Sequence, residues 1–334
     1  MNNKKVKKIS FPTFKDLSFS SGKLHYNFRT AIITGACRSG KTTLGTLLAT
    51  CNNVENAEEP WTAKILPLLA NLKGLNKDLA KDIFLNFVTE FCNETILLRT
   101  VSFRPDDAST ILNQKTKKEI SNRFSKLKTR KDVNNFKEKY NPLLLLNLTE
   151  VLPFVSFFFE VLPDTTLINV IRKGKNVAKD CFSKRWFSDR QLLAPIKALP
   201  YQKFNYDNQN WHIPWWVNKG DEKYFISLNE YNRCIYYWCQ NIEAGIGAIN
   251  QLNKNSNVKT IQYEKLIKDP EEVFSNISTI LNITPGPLTD IVIKKIKNRN
   301  NLTSQIKDQQ VEKELELRMD SLNNEINSRH YLTN

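Results

Sequence analysis

Residues 30–50 read TAIITGACRSGKTTLGTLLAT, and this stretch decides the fold. The β-branched and apolar run at residues 30–34 predicts a short buried strand, and the leucine-rich end predicts a helix. Between them, residues 35–42 match the pattern G-x-x-x-x-G-K-[ST] in full, in the strand-to-helix context that this motif requires. Backbone N–H groups at the start of a helix attract anions, and Lys41 adds a positive charge. The stretch therefore predicts a P-loop that binds a phosphate or sulfate group.

The rest of the chain alternates between apolar runs and helical patterns. Strands are predicted at residues 95–102, 143–148, 166–171 and 258–263, and helices at residues 76–92, 150–162, 175–186, 228–252 and 270–281. Such an alternation is typical of an α/β fold, in which a mostly parallel central sheet is flanked by helices. We expect this P-loop domain to occupy residues 29–299, after an N-terminal extension over residues 1–28.

Two further segments stand outside this alternation. Residues 115–139 carry ten Lys or Arg against three Asp or Glu, which predicts a basic helical excursion that is either a solvated helix face or an anion-binding one. Residues 300–334 form a C-terminal helical tail, in which four apolar residues recur at heptad-like spacing: Val311, Leu315, Leu322 and Ile326. This pattern predicts a helix that docks on the domain or pairs with another copy, and it leaves the oligomeric state open.

The composition indicates an anionic partner. The 334 residues carry a formal net charge of +15, and 40% of them are hydrophobic, which excludes a disordered chain. No apolar run follows the basic N-terminus, and polar or charged residues interrupt the apolar stretch at 143–162, so we expect neither a signal peptide nor a membrane span. The six cysteines lack metal-ligand spacing, and we therefore expect reduced thiols, a cytoplasmic protein and no metal site.

The ends of the predicted strands bear on how an anion is held. A nucleotide site with Mg²⁺ needs an acidic residue at the end of an apolar strand beside the P-loop. The strand at residues 166–171 ends in the basic sequence RKGK, and the strand at residues 143–148 continues into Thr149. The one acid close by, Glu150, lies already at the start of a predicted helix. Basic and neutral groups occupy the places where an acid would bind the metal. We predict a loop that holds its ligand without a metal ion.

Three segments together resemble the sulfotransferases that use 3′-phosphoadenosine 5′-phosphosulfate (PAPS). RSGKT at residues 38–42 resembles the family's P-[KR]-S-G-T-T loop, with Cys37 in place of the proline and Lys41 in place of the first threonine. LINVIRKGKNVAKD at residues 167–180 resembles its strand followed by R-D-[PG]-R-D-V-x-x-S. QYEKLIKDPE at residues 262–271 resembles its R-Y-E-D-L-x-x-x-P-E. The order and spacing of the three segments are those of the family.

The resemblance implies a binding site for the phosphosulfate of PAPS. Arg38 and Lys41 would contact the phosphosulfate, and further donors would come from four neighbours in the loop: Ser39, Gly40, Thr42 and Thr43. Because a sulfuryl group carries less charge than a phosphoryl group, protein cations can take the place of Mg²⁺ in stabilising the transition state.

The resemblance also implies a site for the 3′-phosphate of PAPS, and here the sequence departs from the family. Arg172 would bind this phosphate, as a planar guanidinium can do with two hydrogen bonds. The family's serine at the ninth position of the segment is Asp180 in this chain, and an aspartate would repel the phosphate. We expect Asp180 to turn away and pair with Lys184 at i+4. The alternatives are that Ser183 and Lys179 substitute for the serine, or that the 3′-phosphate is held differently.

A sulfotransferase needs a base that takes the proton of the acceptor. In several branches of the family a glutamate shortly after the P-loop helix does this, and Glu59, which precedes Pro60, falls there together with Glu58. His212, within NWHIPWW at residues 210–216, is the competing candidate, because some relatives use histidine. The tryptophans around His212 predict a wall of the acceptor site.

These features predict a sulfotransferase that moves a sulfuryl group from PAPS to a hydroxyl or amine. Carbohydrate is the favoured acceptor, because tryptophan-rich basic surfaces suit sugar rings and acidic glycans, while a lipid, a small molecule or a protein tyrosine stays open. We expect no nucleic-acid partner. Two alternatives remain: a P-loop kinase that uses ATP and Mg²⁺, which Lys41 favours, and a non-catalytic anion-binding relative, which Asp180 favours.

Overall fold

The computed structural model describes residues 27–195, 200–252, 257–298 and 309–328. Its strands are β1 (Arg29–Thr34), β2 (Val54–Glu58), β3 (Leu143–Asn147), β4 (Thr166–Ile171), β5 (Tyr201–Tyr206), β6 (Gln209–Pro214) and β7 (Val258–Gln262). Its α-helices are α1 (Lys41–Ala49), α2 (Trp61–Asn71), α3 (Lys77–Ile96), α4 (Lys117–Lys126), α5 (Arg130–Tyr140), α6 (Val155–Val161), α7 (Gly174–Ser183), α8 (Asp189–Leu193), α9 (Glu222–Ser227), α10 (Glu230–Asn250), α11 (Tyr263–Lys268), α12 (Pro270–Leu281), α13 (Thr289–Lys297) and α14 (Lys313–Ser328).

The centre of the fold is a five-stranded sheet in the order β2-β3-β1-β4-β7, in which all neighbouring strands pair in parallel. Ile32 on β1 lies opposite Leu146 on β3 and Leu167 on β4. Strands such as LLLLN in β3 are apolar at successive positions because helices cover both faces of the sheet. The predicted α/β fold with a parallel central sheet is confirmed.

The two faces of the sheet bury alternate residues of the same strands. On one face, Ile32 and Leu146 pack with Phe84 of α3 and Phe158 of α6. On the other face, Ile33 packs with residues of α1, α12 and α13. This packing brings the carboxyl ends of β1, β2, β3 and β4 to one edge of the sheet, where the P-loop lies.

One predicted strand is wrong, and three strands, β2, β5 and β6, were not predicted. Residues 95 and 96 end the long helix α3, and the β-branched run after them forms turns instead of a strand. The strand β2 reads VENAE and has no apolar run, so its sequence gave no strand signal. Its Glu55 is nevertheless buried, because Arg123 neutralises it with hydrogen bonds of 2.8 and 2.7 Å.

The C-terminal helix docks on the domain. Leu315, Met319, Leu322 and Ile326 of α14 are buried in one apolar cluster with residues of α10 and α7. Of the two outcomes expected for the apolar spacing, the structure therefore shows docking. The N-terminal extension up to residue 26, the start of the tail at residues 300–308 and its end at residues 329–334 lie outside the described residues.

The helices of the described ranges include none with the length and apolar character needed to cross a membrane. Within the same ranges all six cysteines are free thiols, and five of them are buried.

Candidate active site

The P-loop joins β1 to α1 in a tight turn. Gly40, immediately before α1, has a φ of 100°, a left-handed conformation that L side chains rarely adopt. Lys41 is buried, and its Nζ donates a hydrogen bond of 3.0 Å to the carbonyl of Ala36 across the turn. The hydroxyl of Ser39 is buried and has no hydrogen-bond partner among the described residues. The turn places the first N–H groups of α1 at the carboxyl edge of the sheet, where an anion would bind.

A buried polar network supports the loop. The N–H of Cys37 donates to the hydroxyl of Tyr237 at 2.7 Å, and this hydroxyl donates to Glu150 at 2.6 Å. Lys64 forms an ion pair of 3.1 Å with Glu150. Burial acts to raise the pKa of Glu150, but Lys64 and the hydrogen bonds from Tyr237 and Cys37 hold it below the usual value. Burial, together with Glu150, raises the pKa of the Cys37 thiol to about 12, so this thiol is not a nucleophile at neutral pH.

The three segments of the sequence resemblance meet at the loop. The ring of Tyr263, at the start of α11, lies against Gly40. The guanidinium of Arg172, directly after β4, lies 5.0 Å from the centre of the Tyr263 ring and donates a hydrogen bond of 2.9 Å to the carbonyl of Arg38. Tyr263 therefore stands between the P-loop and the strand end that carries Arg172. The sequence segment that contains Tyr263 was identified in advance, but no role was predicted for the tyrosine.

Asp180 faces the site, contrary to the expectation that it turns away. Its Oδ2 lies 2.6 Å from Nη1 of Arg172 and 3.7 Å from Nε of Arg38. The expected pairing with Lys184 is wrong, because α7 begins directly after Arg172 and directs Asp180 back toward the strand end. The carboxylate of Asp180 thus lies between two arginines for which a role in anion binding was predicted.

A second carboxylate touches the P-loop helix. The hydroxyl of Thr42 donates to Glu58 at 2.7 Å, and the side-chain amide of Asn147 donates to the other oxygen of Glu58, also at 2.7 Å. Burial raises the pKa of Glu58, although the hydrogen bonds from Thr42 and Asn147 act in the opposite direction. A strand end beside the loop thus carries an acid, and the expectation that the strand ends there offer no acid for a metal is wrong. It failed because β2, which carries Glu58 at its end, was not recognised as a strand.

Glu59 follows β2 and lies beside the same loop. Its N–H donates to the carbonyl of Asn147 at 2.9 Å, and its carboxylate accepts a hydrogen bond from the hydroxyl of Thr149. Glu59 has a φ of 44°, so the chain turns sharply between β2 and α2. Both Glu58 and Glu59 line the cavity described next.

A cavity of about 1260 Å³ opens at this edge of the sheet and connects these groups. The predicted residues Arg38, Gly40, Lys41, Thr42, Thr43, Arg172 and Asp180 line it. Its remaining wall is rich in aromatic side chains: Trp61, Trp186, Phe187, Tyr201, Trp215 and Trp216. The cavity therefore offers an anion-binding end, the carboxylates of Glu58 and Glu59 beside it, and an aromatic wall. Two of the tryptophans near His212, Trp215 and Trp216, belong to this wall.

Four other candidates are not among the described residues that line this cavity: Ser39, whose hydroxyl is buried within the loop, and three residues outside the loop. His212 lies on β6, where its Nδ1 is 3.3 Å from the carbonyl of Leu192. Lys179 lines a separate cavity of about 510 Å³ between α7 and α14. Ser183 donates its hydroxyl to the carbonyl of Asp180 at 2.7 Å. The structure thus does not bring His212 to the P-loop, and neither Lys179 nor Ser183 takes the place of the family's serine.

The basic excursion at residues 115–139 is partly a structural element. Lys115, Arg123 and Lys137 are buried, and each is held by a hydrogen bond to another part of the domain. Exposed Arg130 forms an ion pair with Glu90. These contacts tie α4 and α5 to the sheet and to α3. Four of the ten basic residues of the segment are therefore engaged in contacts within the domain.

No protein-family model and no curated protein sequence matches the chain. Among solved structures, it is similar to a sulfotransferase domain of the Synechococcus PCC 7002 olefin synthase, with 12% identity, a TM-score of 0.47, and coverage of 91% of this chain and 97% of that one. It is also similar to a sulfotransferase domain of the curacin biosynthetic pathway, with 11% identity, a TM-score of 0.46, and coverage of 89% and 98%. Sulfotransferase STF9 from Mycobacterium avium matches at 10% identity with a TM-score of 0.43, over 91% of this chain and 77% of that one.

Proposed function

We propose that this chain is a sulfotransferase that moves a sulfuryl group from a nucleotide 5′-phosphosulfate to a hydroxyl or amine. The observation that carries the proposal is the convergence at Tyr263: its ring touches Gly40 of the P-loop and lies under Arg172. Three segments that are far apart in sequence thus build one site, and they are the three that resemble the PAPS-dependent enzymes. PAPS is the donor that this resemblance implies.

In this reaction the P-loop side of the cavity and the carboxylate side have different roles. The acceptor oxygen forms a bond to sulfur, the bond from sulfur to the bridging phosphate oxygen breaks, and the nucleotide leaves with the bridging oxygen. The N–H groups of the loop, together with Lys41 and Arg38, would bind the departing phosphate, whose negative charge grows in the transition state. A carboxylate opposite them would take the proton of the acceptor.

Glu59 is our choice for this base. Both oxygens of Glu58 already accept hydrogen bonds, from Thr42 and Asn147, which tie the P-loop helix to the ends of β2 and β3. Glu59 accepts one from Thr149 and lines the cavity. The aromatic wall would bind the acceptor, and it supports a carbohydrate, since aromatic faces stack on sugar rings.

A P-loop kinase is the second candidate, and one observation favours it. The 2.7 Å hydrogen bond between Thr42 and Glu58 pairs a P-loop hydroxyl with a carboxylate. In P-loop nucleotide hydrolases, a hydroxyl of the loop and a carboxylate at a strand end hold the Mg²⁺ of the bound nucleotide. The two candidates therefore differ in the nucleotide that the site binds and in the requirement for Mg²⁺.

Thermal unfolding with different nucleotides separates the two functions. A ligand that binds only the folded state raises the melting temperature by mass action. We expect adenosine 5′-monophosphate or adenosine 3′,5′-bisphosphate to raise it in the presence of EDTA, and ATP with Mg²⁺ to have little effect. Gly40→Ala, which places a methyl group where the Tyr263 ring lies against the loop, should abolish the rise in melting temperature. Stabilisation by ATP with Mg²⁺ alone, with no response to either adenosine phosphate, would establish the kinase instead.

A further inference from the structure

At the Arg172 corner of the cavity, the carboxylate of Asp180 already lies beside the guanidinium. Oδ2 of Asp180 lies 2.6 Å from Arg172 and 3.7 Å from Arg38. The side chains of Arg172 and Asp180 are only 13% and 18% exposed, so water screens this pair little. The same Nη1 of Arg172 also donates to the carbonyl of Arg38, and the guanidinium lies over the ring of Tyr263. Asp180 therefore neutralises the positive charge that a second ligand phosphate would need.

The backbone around Asp180 keeps its carboxylate in this place. The carbonyl of Arg172 accepts a hydrogen bond of 3.0 Å from the indole of Trp238, and a Cβ atom on Gly174 would meet the same indole at 2.9 Å. The end of β4 and the start of α7 are thus packed tightly on α10. Asp180, two turns further along α7, faces the strand end because this junction is fixed.

The chemistry of a carboxylate points to a hydroxyl as its ligand. A carboxylate that lines a cavity accepts hydrogen bonds from hydroxyl groups and repels phosphate, whereas an arginine free of internal partners attracts phosphate. Dinucleotide-binding proteins use this difference, because an acidic residue there binds a ribose hydroxyl and an arginine accommodates a phosphate on the same hydroxyl. The P-loop end of the cavity suits an anion, and the Asp180 corner suits a neutral hydrogen-bond donor.

We infer that the donor of this enzyme is a nucleoside 5′-phosphosulfate with a free ribose hydroxyl at Asp180, and not the 3′-phosphorylated donor PAPS. The inference rests on the proposed function and narrows its donor. The phosphosulfate would lie at the P-loop, and the ribose would present its hydroxyl to the carboxylate between Arg172 and Arg38. The product that leaves would be a nucleoside 5′-monophosphate.

Calorimetric titration with adenosine 5′-monophosphate and adenosine 3′,5′-bisphosphate tests the inference without an acceptor. The wild-type chain should bind the monophosphate at least as tightly as the bisphosphate. Asp180→Ser and the isosteric Asp180→Asn should each shift the ratio of the two affinities at least tenfold toward the bisphosphate. Asp107→Asn is the matched control, because Asp107 lines the same cavity but accepts its hydrogen bonds from Ser109. The control should leave the ratio unchanged.

The outcomes distinguish this inference from the proposed function. Tighter binding of the bisphosphate by the wild-type chain would overturn the inference and leave the sulfotransferase proposal in place, since it would mean that the phosphate displaces Asp180. An unchanged affinity ratio in both Asp180 variants would also overturn it. If the wild-type chain binds neither adenosine phosphate, the proposed function fails, and the inference fails with it.

Discussion

The ring of Tyr263 lies so close to Gly40 that a Cβ atom built on Gly40 would come within 2.0 Å of Cδ2 of the tyrosine. The two residues are 223 positions apart, and each belongs to a different segment of the sequence resemblance. A side chain at position 40 would have to displace an aromatic ring that also lies under Arg172. The shape of the P-loop and the position of Arg172 are therefore coupled through the ring of Tyr263.

Gly40→Ala should abolish nucleotide binding. The substitution adds a methyl group where the Tyr263 ring lies, at a φ of 100° that costs a non-glycine residue about 1–3 kcal/mol. Gly220→Ala is the control, because Gly220 has a φ of 103° but no atom within 4 Å of its would-be Cβ. Titration calorimetry should show normal binding in the Gly220 variant and none in the Gly40 variant. Equal affinities in the two variants would refute the coupling.

Glu59→Gln should stop sulfuryl transfer but leave nucleotide binding intact. A general base contributes about 10²–10⁴-fold to the rate and does not contribute to donor affinity. His212→Ala should keep nearly full activity, because His212 is not among the described residues that line the cavity. Transfer rates and nucleotide affinities of both variants check the assignment. Full activity in Glu59→Gln together with a loss in His212→Ala would move the base to the histidine.

Glu58 should make stability depend on pH. Burial raises the pKa of Glu58 in the folded chain above its ordinary value of 4.5. The folded state therefore binds the proton more tightly, and the stabilisation present below pH 4.5 is lost as the pH rises through the folded-state pKa. The Glu58→Gln variant has no carboxyl group at this position, so its stability does not contain this pH-dependent contribution. Urea unfolding from acidic to neutral pH should show the variant gaining stability relative to the wild type, and a difference that does not change with pH would contradict the prediction.

Arg123→Gln should destabilise the fold without changing nucleotide binding. Arg123 and Glu55 are buried, with exposed fractions of 6% and 1%, and loss of one partner of a buried ion pair typically costs about 3–5 kcal/mol. Lys126→Gln on the same helix should stay within about 0.5 kcal/mol, because Lys126 is exposed. Denaturant unfolding measures both variants. A larger loss of stability in Lys126→Gln than in Arg123→Gln would contradict the prediction. A loss of nucleotide affinity in Lys126→Gln would show that the segment binds anions.

The sequence predicted β1, β3, β4 and β7, whose runs are rich in apolar and β-branched residues. Such runs are typical of strands in a parallel sheet that helices cover on both faces. The strand β2 was missed because its Glu55 is neutralised by Arg123, a residue 68 positions away that no local pattern connects to it. Conversely, the β-branched run at residues 95–102 is a strand by propensity, but the helix α3 extends into it.

The positions of the site that belong to a sequence motif could be predicted from the sequence. The contacts between side chains of different elements could be predicted less well. The lining of the cavity by Lys41 and Arg172 follows from motif positions. The orientation of Asp180 was not predictable from helix spacing, because the decisive neighbour is Arg172 on the preceding strand end and not Lys184 on the same helix. The role of Glu58 at Thr42 stayed hidden for the same reason that β2 did.

Direct transfer of a labelled group tests the central claim. The chain is incubated with a panel of glycans and small hydroxyl compounds, either with nucleoside 5′-phosphosulfates radiolabelled in the sulfuryl group or with ATP labelled in the γ-phosphoryl group and Mg²⁺. We expect label to move from a phosphosulfate to an acceptor in step with nucleotide release. EDTA should not prevent this transfer, and Gly40→Ala should abolish it. Mg²⁺-dependent transfer of the γ-phosphoryl group, with every phosphosulfate left intact, would contradict the assignment of sulfuryl transfer to this chain.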